Sequence, residues 1–364
     1  MKILVINTGS TSTKLAVFED ERELCSRSME HSAQELAAVP NVLDQLPMRR
    51  QAVLDFLAAS DFAPGDIDVI ASRGGAFAIF KGGAYEIDGA IADLASRPRP
   101  GFTPNGSWLA ALISYGLAQD WGIKAYFYNA VFTDELCSIA RYSGISFIPR
   151  RAGGHPLNCK EVARREALRL GRPVEDCTFV ICHMGGGISS ELHCCGRITD
   201  VISFTEGAFT PERAGRVPSN ALIDLFYSNR FADKRSFMKF MRGRGGLVDY
   251  LGTNSVLEVE RRIATGDRHA EEVLHAMCYQ IAKDIGAVAA AACGKVDGIL
   301  LTGGIAHSER VTAWIRERVE FIAPVSVYAG GFEMEALAGG ICRVCSGLEP
   351  VNRYEPTEEG RAAQ

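Results

Sequence analysis

Three turns rich in glycine, each following an apolar stretch, contain the residues that could bind phosphate. The first has Gly9 and the hydroxyl residues 10–13 followed by Lys14, the second has glycines at 185–187, and the third has Gly303 and Gly304. Backbone N–H groups in such turns can point at phosphate oxygens, and hydroxyl or ammonium groups can add to them. None has the P-loop spacing or opens a helix with Gly-x-Gly-x-x-Gly, so the turns predict nucleotide phosphate binding of another kind.

The first two turns lie in segments with the same layout. An apolar strand at 3–6 leads through the first turn to a strand at 14–18, and a strand at 178–182 leads through the second turn to strands at 190–193 and 197–202. Placing Gly9 on Gly185 gives an offset of 176 residues, close to half of the chain. A duplicated unit that opens with a β-hairpin would produce this pattern. Taken alone, two similar glycine turns can also arise by chance.

The remaining segments alternate between helix and strand patterns, which favours an α/β fold. The longest is 270–293, where apolar residues recur at three- and four-residue steps, as in an amphipathic helix that packs in a core or against another domain or subunit. The other predictions are helices at 222–241 and 311–321, strands at 296–301 and 325–328, and a loop at 242–246.

Length and charge exclude several classes of protein. A chain of 364 residues with 47% hydrophobic and 23% charged residues is long enough for two globular domains. Its net charge of −5 provides no field that would recruit nucleic acid or an anionic membrane. No apolar run could span a bilayer, and the strand at 3–6 is too short for a signal peptide. We therefore expect a cytoplasmic protein with no nucleic-acid or membrane partner.

Eleven cysteines in a chain without an export signal predict reduced thiols. Two clusters could suggest a metal, namely His193-Cys194-Cys195 and the pair Cys342 and Cys345. A structural zinc site needs four converging ligands, usually from two paired spacings, and only one such pair is present. We therefore interpret these cysteines as small buried hydrophobic residues, the pair in a helix.

Several longer motifs resemble the acetokinase family, the acetate and butyrate kinases. The run from Asn7 to Lys14 is similar to the family's first phosphate loop, 183–187 to its second, and 302–307 to its adenosine loop. Motifs at 72–75, 211–215, 245–253 and 279–283 are similar to the butyrate kinases in particular. The resemblance extends from the N-terminus to about Leu348.

The resemblance implies a duplicated actin-like ATPase (ribonuclease H-like) fold, with two domains and a nucleotide cleft between them. The domains would be 1–160 plus 335–364, with the acceptor side and first phosphate loop, and 161–334, with the second phosphate loop and the adenosine loop. It also implies ATP and Mg²⁺ as cofactors and a homodimer or larger homo-oligomer.

A carboxylate kinase joins two anions, so it needs cations that align and neutralise charge, and arginine does both. By resemblance, Arg73 matches the substrate-site arginine, Arg213 the second active-site arginine, and His155 the histidine that stabilises the transferring phosphoryl group. Without the resemblance, the arginines could be solvated loop charges and His155 a turn residue.

The resemblance also implies residues that hold phosphate and metal. Glu333 matches a magnesium-associated glutamate; alternatively, it is an acid in the first turn of a helix, where the helix dipole favours a negative charge. Asn7 matches a residue that orients the metal's water shell. Lys14 could equally be an exposed hairpin charge. The full nucleotide and phosphate set is Asn7, Ser10, Ser12, Lys14, His183, Gly185, Gly186, Gly187, Gly303 and Gly304.

Two positions depart from the family pattern. Asn129 stands where the family has an acid near the transferring group, and Asn105, in the run 101–108, stands at a substrate-side histidine. Both replacements remove an ionisable group, so we expect altered acyl selectivity or slower turnover.

These observations predict a phosphotransferase that converts ATP and butyrate, or a branched short-chain acid, into ADP and the acyl phosphate by direct in-line transfer. The alternative is a catalytically impaired nucleotide-binding paralogue that acts as a sensor or assembly partner, which the two asparagines favour. A sugar or glycerol kinase is the weaker alternative, because transfer to a hydroxyl needs a general base rather than two arginines.

Overall fold

The computed structural model describes residues 1–98, 102 and 104–355 of the chain. It divides into two units, Met1–Asp134 with Phe332–Gln364, and Glu135–Gly331. The expected boundaries, at 160 and 335, differ from these mainly in the segment 135–160. That segment lies with the second unit because its backbone and side chains bond there, as in the hydrogen bond from the Cys137 N–H to the Thr199 carbonyl.

The first unit contains a seven-stranded sheet with the order β12-β5-β6-β4-β1-β2-β3. With labels in chain order, its strands are β1 Lys2–Thr8, β2 Ser12–Glu19, β3 Arg22–Glu30, β4 Val69–Arg73, β5 Ala84–Glu86, β6 Lys124–Tyr128 and β12 Val351–Asn352. Its helices are α1 Ala33–Ala38, α2 Leu46–Ala58, α3 Gly89–Ser96, α4 Trp108–Trp121 and α12 Glu333–Cys345.

The second unit contains a five-stranded sheet with the order β11-β10-β7-β8-β9. Its strands are β7 Thr178–Met184, β8 Ile188–Cys194, β9 Arg197–Ile202, β10 Gly298–Gly303 and β11 Val325–Ala329. Its helices are α5 Pro156–Arg169, α6 Ser219–Tyr227, α7 Lys234–Gly243, α8 Leu247–Leu251, α9 Val256–Ala264, α10 Arg268–Ala291 and α11 Glu309–Val319.

The sheet order confirms the duplication. In both units a first strand forms an antiparallel hairpin with the second, and the second pairs antiparallel with the third. On its other side the first strand pairs in parallel with a fourth strand, which pairs in parallel with a fifth. Even the register shift recurs, at Val17/Phe18 in β2 and at Leu192/His193 in β8. The two glycine turns therefore occupy the same place, between the first and second strands.

Helices supply much of the buried core of each unit. In the first unit α2 and α4 contribute buried residues such as Phe56 and Trp108 to the cluster that covers the sheet. In the second unit α10 buries Leu274, Met277 and Ile281 in the core. Of the alternatives considered for this helix, packing in a core is therefore the one observed. In the described part of the chain, no helix combines the length and the apolar character needed to cross a membrane.

Some boundaries differ from the sequence prediction. The helix expected over 222–241 is two helices, α6 and α7, because Asn229 adopts a left-handed backbone (φ +60°) and Asp233 caps α7. The loop expected at 242–246 begins two residues later, since Arg242 and Gly243 complete α7.

The cysteine prediction is only partly correct. All eleven cysteines are free, and the pair Cys342 and Cys345 lies in α12 as expected. Neither pair is buried, however: Cys345 and Cys195 are exposed, and Cys342 and Cys194 are half-buried. Cys194 packs against the core of the second unit, as expected for a small hydrophobic residue, whereas the exposed Cys195 and Cys345 are not explained by core packing.

Candidate functional site

In the first unit, Asn7 and Arg73 meet at the carboxyl ends of neighbouring strands. The strands β1 and β4 are parallel with Ile6 opposite Ser72, which places the next residues, Asn7 and Arg73, side by side. Nη1 of Arg73 donates to Oδ1 of Asn7 at 3.1 Å. Two residues proposed for the site from sequence are thus in direct contact.

Glu333 is the first residue of α12, which packs against β1 and β4, and its charge acts on Arg73. Burial lowers the pKa of Arg73, while the negative charge of Glu333 acts in the opposite direction. A guanidinium is nevertheless not deprotonated in proteins, so Arg73 keeps its positive charge. The first unit therefore brings a permanent cation, an amide oxygen and a carboxylate together.

The glycines that follow Arg73 allow the chain to pass through a narrow space. A Cβ on Gly74 would lie 2.7 Å from Cα of Ala130, and one on Gly75 would lie 2.9 Å from the Ser107 carbonyl oxygen. No other residue type fits at either position without moving its neighbours. The motif at 72–75 is thus a requirement of packing as well as of chemistry.

The turn at 9–11 is held from behind by Arg49, a residue that sequence analysis missed. Arg49 is fully buried in α2, and its guanidinium donates to the carbonyl oxygens of Gly9, Ser10 and Ser12 at 3.0, 2.9 and 2.9 Å. Burial lowers its pKa. The sequence feature that could have predicted its burial is helical spacing, because Arg49 lies three, four and seven residues before the buried Ala52, Val53 and Phe56.

The other residues proposed for this loop lie on the hairpin itself. Ser12 begins β2 and Lys14 follows on it, with Lys14 opposite Asn7 in the register and exposed to solvent. Ser10 is also exposed, at the tip of the turn. Directly opposite residues in an antiparallel pair share a face of the sheet, so Lys14 lies on the face of Asn7. Whether these groups bind phosphate stays a prediction.

Asn105 lies in a loop packed directly against that turn. A Cβ on Gly106 would lie 1.9 Å from the Gly9 carbonyl oxygen, and Oγ1 of Thr8 donates to the Gly106 carbonyl at 2.6 Å. Asn105 itself is exposed, and its Oδ1 accepts from the N–H and Oγ of Ser107 at 3.0 and 2.6 Å. Part of its motif, Gly101 and Thr103, lies outside the described residues. Its substrate contact stays a prediction.

Asn129 forms hydrogen bonds that connect two strands of the first sheet. Its backbone is left-handed (φ +43°), a conformation that asparagine tolerates better than most residues. Its Oδ1 accepts from the Gly83 N–H at 2.9 Å, and its own N–H donates to the Gly83 carbonyl at 3.0 Å. Asn129 therefore joins β6 to the turn before β5, and its catalytic role stays a prediction.

In the second unit, His155 and His183 stack face to face, with ring centroids 3.8 Å apart and planes 14° apart. His155 precedes Pro156, the first residue of α5, while His183 lies in β7 just before the second glycine turn. Nδ1 of His183 lies 3.0 Å from Nδ2 of Asn158, which also donates to Oγ1 of Thr302. An amide nitrogen can only donate, so Nδ1 of His183 accepts.

Arg213 lies against the second glycine turn. A Cβ on Gly187 would lie 2.8 Å from the Arg213 guanidinium carbon, so glycine is required for this approach. The guanidinium also stacks on the Phe204 ring at 4.5 Å, and that ring contacts His155 edge to face at 6.3 Å. Burial lowers the pKa of Arg213, and the charge of Arg242 lowers it further. Arg213, His155 and the second turn thus form one cluster.

The second and third glycine turns line one pocket of about 520 Å³, and all of its lining belongs to the second unit. The turns come together because Gly303, at φ +89°, leaves no room for a Cβ, which would lie 2.3 Å from the Met184 carbonyl oxygen. The apolar wall is Val256, Leu257 and Ile305, and the polar groups are Glu212, Asn254, Glu260 and His307.

An apolar wall edged with hydrogen-bonding groups suits the flat face and polar edges of a nucleobase. Of the lining residues, sequence analysis predicted Gly185, Gly186 and Gly304 but missed Asn254 and Glu260, each of which forms a hydrogen bond with another lining residue. Nδ2 of Asn254 donates to Oε1 of Glu212 at 2.7 Å, and Oγ of Ser308 donates to Oε1 of Glu260 at 2.6 Å. The motif at 245–253 ends just before Asn254 and was the available signal.

Comparison with known proteins identifies relatives over nearly the whole chain. The acetokinase family's sequence profile matches residues 127–329. Butyrate kinase 2 of Clostridium acetobutylicum is 42% identical over 97% of this chain and 99% of its own length, and a probable butyrate kinase of Bacteroides thetaiotaomicron is 40% identical over 98% and 100%. The crystal structure of Porphyromonas gingivalis acetate kinase matches 96% of this chain and 100% of that chain, with a TM-score of 0.76 at 18% identity. The chain therefore has the actin-like ATPase fold.

Proposed function

The chain belongs to the acetokinase family, and we propose that it transfers the γ-phosphoryl group of ATP to butyrate or a branched short-chain acid such as isobutyrate. The reverse reaction, from acyl phosphate and ADP, uses the same groups. The family makes it an ATP-dependent carboxylate kinase. The four-carbon acceptor is the finer part of the proposal, supported by relatives named butyrate kinase at 42% and 40% identity.

One observation carries the proposal for the acceptor, namely that Arg73 is held by an amide. Because Asn7 is uncharged, its hydrogen bond orients the guanidinium without bringing a further negative charge to it. A carboxylate can then bind to the planar fork, which stays protonated at any physiological pH. Arg73 would in this way hold the acid with its oxygens directed at the phosphorus.

The second unit would supply the charges for the phosphoryl group. In phosphoryl transfer, charge spreads over the three equatorial oxygens, and catalysis consists largely of positioning and electrostatic stabilisation. Arg213 and His155, which lie together beside the second glycine turn, would stabilise those oxygens. The pocket of about 520 Å³ would hold the nucleoside, with the Gly186 N–H directed at its phosphates, since the Gly185 N–H already donates to the Gly187 carbonyl.

The residues near Arg73 fit a magnesium ion. Mg²⁺ prefers oxygen ligands, keeps several waters and needs only one or two carboxylates besides substrate phosphates. Glu333 offers a carboxylate, and Oδ1 of Asn7 has a second lone pair beyond the one used by Arg73. When bound, the ion would neutralise charge on the phosphate oxygens.

We further propose that the enzyme works in the cytoplasm as a homodimer or larger homo-oligomer, on the basis of its family. Size-exclusion chromatography with light scattering gives the mass directly. A monomer of 39.4 kDa at assay concentration would contradict the second part.

The test of the proposed function is acyl phosphate production from Mg-ATP, trapped as the hydroxamate, with acetate, propionate, butyrate and isobutyrate compared. We expect turnover that is highest with the four-carbon acids. Absence of turnover with every acid, while ATP still raises the melting temperature, would favour the impaired nucleotide-binding protein instead.

A pair of arginine variants controls this assay. Arg73→Lys keeps a positive charge but loses the planar fork, so kcat/KM for the acid should fall by about 100-fold or more. Arg22→Lys changes an exposed arginine of β3 in the same sheet and should leave it unchanged. Equal values for the two variants would contradict the role given to Arg73.

A further inference from the structure

We propose that Glu191 and Ser189 are positioning residues that hold His155 and keep a proton on its Nδ1, so that Nε2 is the ring atom used toward the phosphoryl group. The inference rests on the proposed function, because it assumes that His155 meets the substrate. Neither residue was among those expected from sequence.

The first step of the argument is the contact between Glu191 and the chain at His155. Glu191 lies in β8 and is 1% exposed, and its Oε1 accepts from the His155 backbone N–H at 2.7 Å. A Cβ on Gly154 would lie 2.2 Å from the same oxygen. The turn at 153–155 is therefore pressed onto the carboxylate, which determines where His155 lies.

The second step is the link through Ser189. Oγ of Ser189 donates to Oε1 of Glu191 at 3.2 Å and lies 3.0 Å from Nδ1 of His155. An ionised carboxylate only accepts, so the serine proton is directed to Glu191. The Ser189 oxygen must then accept from Nδ1–H of His155. Since Nδ1 is used within the protein, a hydrogen bond from this ring to a phosphate oxygen must come from Nε2.

The third step is the charge of Glu191. Burial alone would raise the pKa of Glu191, but the hydrogen bond and charge of His193 and the bonds from His155 and Ser189 lower it overall. The charged groups nearest His155 are the Glu191 carboxylate, one hydroxyl away, and the Arg213 cation beyond Phe204, while the His183 ring stacks on it. With Nδ1 donating to Ser189, Nε2 can donate to an anionic phosphoryl group only in the imidazolium form.

The same carboxylate could be interpreted as a metal ligand. Ligand atoms of Cys159, Glu191 and His193 lie within 4.8 Å of one another, and all three residues are buried. Nε2 of His193, however, already lies 3.1 Å from Oε2 of Glu191, and three hydrogen bonds in total converge on this carboxylate. We call the hydrogen bonds that join His155 to Glu191, directly and through Ser189, the relay. The relay accounts for two of the three bonds, and a metal would have to displace some of them.

The experiment compares Glu191→Gln and Ser189→Ala with a matched control, Glu161→Gln. Glu161 is also buried, but it pairs with Arg164 and Arg165 in α5. We expect kcat to fall by about 10- to 100-fold in Glu191→Gln and Ser189→Ala, the size of effect typical of residues that orient a metal-bound histidine. KM for ATP and for the acid should change much less. The control should keep its kcat, and thermal melting shows which variants fold.

A spectroscopic readout separates orientation from stability and needs no turnover. ¹⁵N NMR of labelled imidazoles, with His155 identified by a His155→Asn variant, should show Nδ1 protonated in the native protein and not in Ser189→Ala. Unprotonated Nδ1 in the native protein, or an unchanged kcat in folded Glu191→Gln, would overturn the proposal. So would a stoichiometric transition metal in the native protein that Glu191→Gln loses. If the native enzyme has no kinase activity, the proposed function fails, while the NMR result still decides the relay.

Discussion

Two asparagines occupy positions at which the family resemblance implies ionisable side chains, and each uses its side-chain oxygen within the protein. Oδ1 of Asn129 accepts from Gly83, and Oδ1 of Asn105 accepts from Ser107. Asn129 also needs a left-handed backbone, which adds a conformational reason for its residue type. At Asn129, the hydrogen bond to Gly83 and the left-handed backbone therefore both restrict which residue types are compatible.

Substitutions at Asn129 separate the two restrictions. Alanine loses the bond to Gly83 and has an unfavourable φ, so we expect Asn129→Ala to lower the free energy of unfolding by about 2–3 kcal/mol. Asn129→Gly tolerates φ but also loses the bond, and should cost about 1 kcal/mol. Urea denaturation measures both. Equal losses would mean that the left-handed backbone contributes nothing.

Asn129→Asp tests the missing acid itself. Aspartate can accept the same hydrogen bond and tolerates the same φ, so only the charge changes. Because Oδ1 is already engaged by Gly83, we expect kcat to rise by no more than about 10-fold. A much larger gain in the hydroxamate assay would identify Asn129 as the cause of a slow native enzyme.

At the scale of elements, α2 is attached to the first glycine turn through Arg49. The guanidinium holds three loop carbonyls on one side, where it replaces the water that they would otherwise bind. A helix of the core thereby determines the conformation of a loop expected to bind phosphate. The second hairpin has a different support, since Oγ1 of Thr210 donates to the Gly186 carbonyl at 2.7 Å.

Arg49→Lys should disturb the loop without removing the charge. An ammonium cannot reach all three carbonyls in the geometry of the fork. With about two hydrogen bonds lost at roughly 1 kcal/mol each, KM for ATP should rise by about 10- to 30-fold. Arg50→Lys, at the next position of α2 in an exposed pair with Asp120, is the matched control. If both variants raise KM equally, Arg49 does not act on the loop.

At the scale of the whole molecule, the duplicated units have diverged in what they carry. Asn7, Arg73 and Glu333 belong to the first unit, whereas the pocket, Arg213 and His155 belong to the second. In the proposed function Arg73 would hold the acid and the pocket of the second unit the nucleoside, so we expect substitutions at Arg73 and in the pocket to affect different kinetic constants.

Leu257 tests this division. It lines the pocket and is 59% exposed, so Leu257→Asp should fold normally. Loss of the apolar contact and the added negative charge should raise KM for ATP by about 10-fold or more and leave KM for the acid unchanged. Leu168→Asp, at a leucine of the same unit that is 73% exposed, should change neither constant. An unchanged KM for ATP in Leu257→Asp would place the nucleotide elsewhere.

Much of the fold followed from local pattern. Alternation and turns locate the hairpins around Gly9 and Gly185, and three- and four-residue steps locate α10 to within two residues at each end. These features depend on neighbours along the chain, whose spacing the sequence states directly. Motif order likewise determined the family and, with it, the activity.

Only the tertiary structure decided which groups support the site. Arg49 acts on a turn about 40 residues before it, and Glu191 acts on His155, 36 residues away. Asn129 is determined by Gly83, 46 residues away on another part of the same sheet. Such contacts arise when strands pair and helices pack, so no local spacing encodes them. The role of a buried charged residue can therefore be inferred only from the partners that folding places around it.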